Sequence, residues 1–451
     1  MSYWEVQRMP KATRLDDFIN VFSLFPLEGE NFENFYVDTS EVRGNEMKKL
    51  EYTCLIGNYP YAKILFSGQM GSGKTTELYN LTKNLADKYE IIKISVLQEL
   101  DVYNMSYVDL VFAIMSAILK HFEECDEDFS GVTRDTFSQL YNYWHSEYFT
   151  TILFSDEKEA AVEADEEGAG SALIGTNFVA KLKFLMKVVA KGQSIFRTTS
   201  NVKEELKTKL SLRMGDLLSA INSMIMEVNS NFGEKDLMII VEDLDKADPN
   251  EVTEIFTKHF SQLSPINTKI IFNIPIALEY SLDFKRIKDN SNTNFVLSVI
   301  NVFDENGMRN ASNIQFFRKL VYKRAEEKFF IDDVLDYMVE KSGGILRDLF
   351  AILVDASLNA IIGHRDVEQI LMKDAEVACM KLRNEYVKSI ETREQYDRLL
   401  DIYSNSNDTF EDEIILGLLQ ANLIIECGEN KDYQVHPLVI DYMRYRGDID
   451  D

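Results

Sequence analysis

The residues best suited to chemistry lie at positions 68–75 and spell GQMGSGKT. They fit the pattern G-x-x-x-x-G-K-[ST], which is typical of a loop that binds phosphate groups. Glycine permits the dihedral angles with which consecutive backbone N–H groups turn toward phosphate oxygens. We expect Lys74 to reach the β- and γ-phosphates of ATP and the Thr75 hydroxyl to bind Mg²⁺. The predicted nucleotide-binding residues are Gly68, Gln69, Met70, Gly71, Ser72, Gly73, Lys74, Thr75 and Thr76.

The surroundings of this loop favour the functional interpretation over a chance glycine loop. Such a match arises by chance in a chain of this length on the order of one time in a hundred, on average residue frequencies. A short apolar strand, AKILFS, precedes the loop at 62–67. The residues that follow place Leu78, Leu81 and Leu85 on one face of a helix. A strand, a glycine loop and a helix in this order are what the motif requires.

A second candidate for chemistry is the acidic end of LMIIVEDLDKAD, residues 237–248. A phosphate loop needs carboxylates that hold magnesium and orient the attacking water, and Glu242 and Asp243 follow an apolar strand where such groups are expected. The alternative is a strand that runs into a polar turn. Asp248 before Pro249 fits that alternative, as a helix N-cap with proline at the first helical position. Asp245 fits either interpretation.

Composition limits the class of protein. The chain has 451 residues, is 45% hydrophobic and carries a net charge of −27, so it can bury a sizeable core and form two or three domains. The acidic balance opposes nucleic-acid binding by the surface as a whole. Four cysteines without a CxxC pair indicate reduced thiols and a cytoplasmic protein. The N-terminal residues show no apolar signal segment, and the uncharged stretch at 168–180 is too short to span a bilayer.

Strand patterns alternate with helical ones, which predicts an α/β fold with a parallel sheet. The predicted strands lie at 62–67, 90–98, 237–241, 267–275 and 294–302. From about residue 311 the pattern is helical, and it closes with a helix, two short strands and a helix, which suggests a winged-helix domain. The predicted organisation is an N-terminal segment at 1–60, a nucleotide domain at 61–305 with a charged insert at about 123–210, a helical lid at 306–363, and a linker helix with a winged-helix-like domain at 364–451.

With both motifs placed, the chain resembles AAA+/STAND P-loop ATPases, in particular bacterial initiator (origin-recognition-like) ATPases. RGNEMKKL at 43–50 is similar to a box that packs near the adenine, and IIVEDLDK at 239–246 is similar to that family's second nucleotide motif. SGGILRDLF at 342–350 looks like the start of the sensor 2 helix. The family's usual order is Asp and then Glu, whereas here Glu242 precedes Asp243, so their separate roles stay open.

The resemblance implies roles for three further residues. Arg347 would approach the γ-phosphate, Asn273 would serve as the polar sensor 1, and Arg43 would lie near the adenine. Each has a plainer alternative: a first-turn helix residue, a strand end and a surface arginine. The family also implies an arginine finger that acts on a neighbouring subunit, for which Arg286 and Arg309 compete.

These features predict a Mg-dependent ATPase that hydrolyses slowly and acts as a molecular switch on a partner protein. The resemblance implies self-association, and it extends to relatives in antiphage defence. Two alternatives stay open: a DNA-binding initiator or loader, and a nucleotide-bound scaffold with little turnover.

The charge distribution separates these alternatives only in part. Residues 179–213 hold nine Lys/Arg and two Glu, a net charge of +7. They form either a solvated helix face or a patch for nucleic acid, an anionic membrane surface or an acidic partner, and Lys181, Lys183 and Lys187 are the residues that would test it. Residues 364–451 hold ten Lys/Arg and twenty Asp/Glu, a net charge of −10. That charge opposes DNA binding by the winged-helix-like domain and favours a protein contact.

Overall fold

A five-stranded parallel sheet lies at the centre of the chain, which confirms the predicted α/β class. The computed structural model describes residues 9–56, 59–125, 134–154, 176–231, 235–304, 307–363, 368–404, 412–427 and 432–450. The strands stand in the order β2-β3-β4-β1-β5. They are β1 Lys63–Gly68, β2 Tyr89–Ser95, β3 Asp236–Glu242, β4 Lys269–Asn273 and β5 Thr293–Leu297.

The strand order brings the predicted motifs to one edge of the sheet. Strand β1 pairs in parallel with β4 and β5, and β4 pairs in parallel with β3. Every residue of β1 is buried, as expected of a central strand that is covered on both faces. Because parallel strands end at the same edge, the loop after β1, the residues after β3 and Asn273 at the end of β4 are neighbours.

The helices that accompany the sheet follow the apolar spacing of the sequence. Leu78, Leu81 and Leu85 are buried on the helix after the phosphate loop. The predicted cap at Asp248 is confirmed, because its side chain accepts hydrogen bonds from the N–H groups of Asn250 and Glu251. The helices up to the insert are α1 Phe18–Val21, α2 Gly29–Phe35, α3 Ser40–Arg43, α4 Glu46–Ile56, α5 Lys74–Leu85, α6 Val96–Glu99 and α7 Tyr107–Cys125.

The described residues of the charged insert form helices joined by short turns and contain no strand between 123 and 210. Its helices pack on α7, with Trp144, Phe149 and Phe196 fully buried among them. The acidic run at 156–168 lies outside the described residues. The helices from the insert back to the sheet are α8 Arg134–Trp144, α9 Glu147–Leu153, α10 Thr176–Phe196, α11 Asn201–Leu212 and α12 Met214–Asn231, then α13 Pro249–Lys258, α14 Phe260–Leu263, α15 Ile276–Glu279 and α16 Phe284–Asn290.

The C-terminal half is mostly helical and ends with the predicted small hairpin. Strands β6, Ile424–Cys427, and β7, Asp432–Val435, pair antiparallel between two helices. The helices here are α17 Ala311–Arg324, α18 Asp332–Lys341, α19 Leu346–Gly363, α20 Met372–Lys388, α21 Arg393–Ser404, α22 Glu413–Gln420 and α23 Pro437–Arg446.

One hydrophobic core joins the two ends of the chain. Phe18, Phe22 and Phe35 from the N-terminal segment pack with residues of α17 to α19 and of the C-terminal hairpin. Cys54 and Cys379 are buried free thiols. None of the helices that the structure describes has the length and apolar character needed to cross a membrane.

Candidate nucleotide-binding site

The loop between β1 and α5 has the backbone shape of a phosphate cradle. Gly71 and Gly73 take positive φ angles of 83° and 98°, which L side chains rarely adopt. A Cβ atom on Gly71 would lie 2.7 Å from the Cβ atom of Arg347. The loop ends at the first turn of α5, so free backbone N–H groups and the positive end of a helix dipole point at the same space.

Lys74 connects this loop to the strand ends. Its ammonium group lies 2.8 Å from the carboxylate of Asp245 and donates to the carbonyl oxygens of Gly68 and Gln69. Burial lowers the pKa of Lys74, and the charge of Asp245 opposes that shift. The amide of Asn273 donates to the other oxygen of Asp245 at 3.4 Å, and its amide oxygen is buried without a hydrogen-bond partner among the described residues. Lys74, Asp245 and Asn273 therefore form one polar cluster beside the loop.

Glu242 and Asp243 lie next to this cluster but do not join it. Asp243 accepts from the Ser95 hydroxyl at 2.5 Å and pairs with Lys246 at 2.6 Å. Its φ angle of 68° is uncommon for a residue other than glycine. Glu242 is buried, one of its carboxylate oxygens has no hydrogen-bond partner in the part of the chain that the structure describes, and burial raises the pKa of Glu242 to about 7. The carboxylate that contacts Lys74 is thus Asp245, which the sequence left open.

Arg347 lies across the loop, at the start of α19. Its backbone N–H donates to the carbonyl oxygen of Gly71 at 3.2 Å, and its side chain lines the pocket above the loop. Among the described residues, no carboxylate pairs with its guanidinium. The two candidate arginine fingers lie elsewhere: Arg286 is exposed and pairs with Asp283, and Arg309 pairs with Glu340.

A buried glutamate fastens the N-terminal segment to the helix of the loop. Glu77 accepts from the hydroxyls of Thr39 and Tyr36, at 2.7 Å and 3.1 Å. Arg43 lies 3.7 Å from Glu77 and donates to the carbonyl oxygen of Ser72, so it is a buried residue rather than a surface arginine. The Thr76 hydroxyl also accepts from the backbone N–H of Leu27. Residues 27–43, which we name the clasp, are thereby held against α5.

The pocket has two chemically different ends. At the first, which we name the phosphate end, the loop faces charged side chains; its lining residues include Met70, Gly71, Gly73, Lys74, Thr75, Thr76, Asp245, Lys246 and Arg347. At the second, the apolar end, the lining residues include Val21, Leu24, Phe25, Pro26, Phe35, Val37, Leu320, Arg324 and Phe350. A charged end next to an aromatic one matches the two halves of a nucleotide.

The C-terminal hairpin contacts the phosphate loop directly. The Gln69 amide donates to the carbonyl oxygen of Ile424 at 2.7 Å and accepts from the N–H of Glu426 at 3.3 Å. The Asn422 amide donates to the carbonyl oxygen of Met70 at 2.9 Å. Asp348, the residue after Arg347, is 3.2 Å from the His436 ring. Three hydrogen bonds thus join the loop to residues 422–426.

Sequence reasoning placed the loop residues but missed the contacts around them. The third carboxylate of EDLDK was a signal for Asp245, and the TTE that follows the motif lysine contains Glu77. Nothing in the sequence indicated that Gln69 pairs with a strand 355 positions later.

No protein-family model and no curated protein matches the sequence. The chain shows a distant similarity to several solved structures. The Aeropyrum pernix ORC1 protein in complex with DNA is 12% identical, with a TM-score of 0.38 over 91% of this chain and 95% of that one. Cdc6p from Pyrobaculum aerophilum is 12% identical, with a TM-score of 0.37 over 92% and 96%. A chain of Drosophila ORC bound to DNA is 11% identical, with a TM-score of 0.39 over 100% and 96%. Likenesses with TM-scores this low support no inference about function, which rests on the geometry of the pocket.

Proposed function

We propose that this chain binds ATP with Mg²⁺ in the pocket and hydrolyses it slowly. The positive φ angles of the loop glycines, the buried Lys74 and the aromatic far end of the pocket support this proposal. A Cβ atom at Gly71 would collide with Arg347 and Ile345, so only glycine lets the start of α19 lie this close to the loop. A magnesium ion would be held by Thr75 and by a carboxylate among residues 242–245, and it would neutralise phosphate charge.

In this proposal each residue of the phosphate end has a task. Lys74 exchanges its contact with Asp245 for the phosphates, and Arg347, which has no carboxylate partner in the described part of the chain, binds the terminal phosphate. Asp245, held by Asn273, orients the attacking water. Glu242 and Asp243 complete the acidic surroundings of the magnesium.

We further propose that the nucleotide acts as a switch on the C-terminal hairpin. The observation that supports this most directly is the set of hydrogen bonds from Gln69 and Met70 to residues 422–426. A phosphate that reorders the loop changes these bonds, because the two loop residues that make them, Gln69 and Met70, belong to the phosphate loop itself. The hairpin would then move relative to the sheet and alter a surface that a partner protein binds.

Two measurements on the full chain test these proposals. Lys74→Ala is expected to abolish ATP binding and Mg-dependent hydrolysis, whereas Lys258→Ala, at an exposed position away from the pocket, leaves both unchanged. Hydrolysis that persists in Lys74→Ala would disprove the site. Amide hydrogen exchange at Ile424–Cys427 is expected to differ between the ATP-bound and free chain, and equal exchange in both would disprove the switch.

DNA binding is a second candidate function, supported by two exposed lysines. Most cations of 179–213 are occupied within the chain: Lys203 and Lys207 pair with Asp109, and Lys181 donates to Ser138. Lys183 and Lys187 are exposed one turn apart on α10. DNA binding that weakens with salt and is lost on charge reversal of these two lysines would establish this function, and no binding at low salt would exclude it.

Self-association and a protein partner of the C-terminal domain stay proposals of the same kind. A native mass measurement with and without ATP tests the first. No feature of the described residues bears on the predicted role in antiphage defence, which stays a prediction.

A further inference from the structure

The apolar end of the pocket contains a buried arginine. Arg324 is the last residue of α17 and is 4% exposed. Its guanidinium lies over the rings of Phe350 and Phe35, at 4.9 Å and 5.6 Å from their centres. One terminal nitrogen donates to the carbonyl oxygens of Phe35 and Leu320. Arg324 is thus held rigidly between two aromatic rings, in the wall of the pocket.

The charge of Arg324 is not balanced within the described part of the chain. No carboxylate pairs with it there, and burial alone lowers the pKa of Arg324 to about 9. Its Nε–H group is buried, and no residue that the structure describes accepts a hydrogen bond from it. Arg43, which is also buried, differs because Glu77 lies 3.7 Å away. An unsatisfied donor on a buried cation is costly, and an acceptor in the pocket would remove that cost.

We propose that Arg324 recognises the base of the bound nucleotide by donating a hydrogen bond to a ring nitrogen of a purine. This inference rests on the proposed nucleotide site. The phosphates bind at the other end of the pocket, so the part of the ligand that reaches Arg324 is the base. An aromatic base fits between apolar side chains, and a purine presents acceptor nitrogens on both of its rings. Phe35 and Phe350 keep the guanidinium plane in place, so little side-chain entropy is lost on binding.

The decisive experiment separates the base from the phosphates. Calorimetry with Mg-ATP and with Mg-tripolyphosphate, which has no base, measures both affinities in the wild-type chain and in Arg324→Met. We expect Arg324→Met to weaken the binding of ATP by about tenfold to a hundredfold, as for the loss of a hydrogen bond from a charged donor. The binding of tripolyphosphate should weaken by less than about twofold. Lys319→Met, an exposed position on the same helix, is the control and should change neither.

Wild-type protein gives a second measurement that does not depend on a variant that folds. Adenosine triphosphates in which ring nitrogen N1, N3 or N7 is replaced by CH remove one acceptor at a time. At least one of them is expected to bind about tenfold more weakly than ATP.

Three outcomes would overturn the inference, and they differ from one another. Equal losses of ATP and tripolyphosphate in Arg324→Met would make Arg324 a structural residue only. Three analogues that bind like ATP would show that no ring nitrogen is recognised. A wild-type chain that binds neither ATP nor tripolyphosphate would refute the nucleotide site itself, and the base recognition with it.

Discussion

The two ends of the pocket balance their buried cations differently. At the phosphate end, Lys74 already has a carboxylate 2.8 Å away, in Asp245. At the apolar end, Arg324 has two carbonyl oxygens and two aromatic rings but no carboxylate in the described part of the chain. A triphosphate that binds must therefore displace an existing partner of Lys74, whereas a base meets a donor that has none. Phosphate binding thus replaces one partner of Lys74 with another, whereas base binding adds a partner to Arg324.

Phosphate binding and base binding also require different arrangements of residues. Phosphate binding requires many N–H groups within a few ångströms, which a single short loop supplies. Base binding requires a shaped apolar surface, and here its lining residues come from positions as distant as Phe35 and Phe350. Substitutions that change one end of the pocket and leave the other end intact test this difference between the two ends.

The largest expected effect lies at the phosphate end, in the contrast between two aspartates. Asp245→Asn should lower the single-turnover rate of ATP hydrolysis by about a hundredfold to a thousandfold, because Asp245 contacts both Lys74 and Asn273. Asp243→Asn should lower it by less than about tenfold, since Asp243 pairs with Ser95 and Lys246. If Asp243→Asn lowered the rate more than Asp245→Asn, Asp243 and not Asp245 would be the carboxylate that matters most for hydrolysis.

The next effect concerns Glu77, which joins the clasp to the helix of the phosphate end. Glu77→Gln should destabilise the chain by about 3–5 kcal/mol, because Arg43 would stay buried without its counter-charge. Urea unfolding measures this loss, and Glu46→Gln, which breaks a surface pair with Lys49, should cost less than about 1 kcal/mol. Glu77→Gln should also weaken the binding of ATP more than the binding of tripolyphosphate, because the clasp includes Phe35 and Val37, which line the apolar end of the pocket. An equal loss of affinity for ATP and for tripolyphosphate would show that the clasp does not affect the apolar end.

The smallest effect is a pH dependence that comes from Glu242. Its pKa in the folded chain, about 7, is above the ordinary value of 4.5, so folding favours the protonated carboxyl. The stability it contributes is complete below pH 4.5 and is lost as the pH rises through 7. By linkage the loss amounts to about 3 kcal/mol in metal-free buffer.

Glu242→Gln should therefore flatten the stability profile between pH 5 and pH 8. The groups that also act on this carboxyl are Lys93, Asp243, Glu28 and Lys246, and burial outweighs them. Denaturant unfolding at a series of pH values measures the profile, and Glu254→Gln, at an exposed position, is the control. A profile that keeps its slope in Glu242→Gln would assign the dependence to another group.

The fold was largely predictable because its signals are local. Each of the five parallel strands was recognised from an apolar run, and the cap at Asp248 from a dipeptide. The phosphate loop was predicted for the same reason, since its chemistry is contained in consecutive residues. What could not be predicted depends on distant pairs: Asp245 with Lys74, Glu77 with Thr39, and Arg324 with Phe350. No period or spacing in the sequence encodes contacts of this kind.

The bond between Gln69 and Ile424 has a consequence for how the chain is made. A contact between residues so far apart closes a very long loop, whose entropy must be lost before the contact can stabilise anything. Chains grow from the N-terminus, and the strand of Ile424 leaves the ribosome long after the loop of Gln69. A nascent chain can therefore form the sheet and the loop glycines early, while the hairpin that contacts the loop is still unsynthesised. The contacts of Gln69 and Met70 with residues 422–426 form late in folding, and they mark a chain that has been made through residue 426.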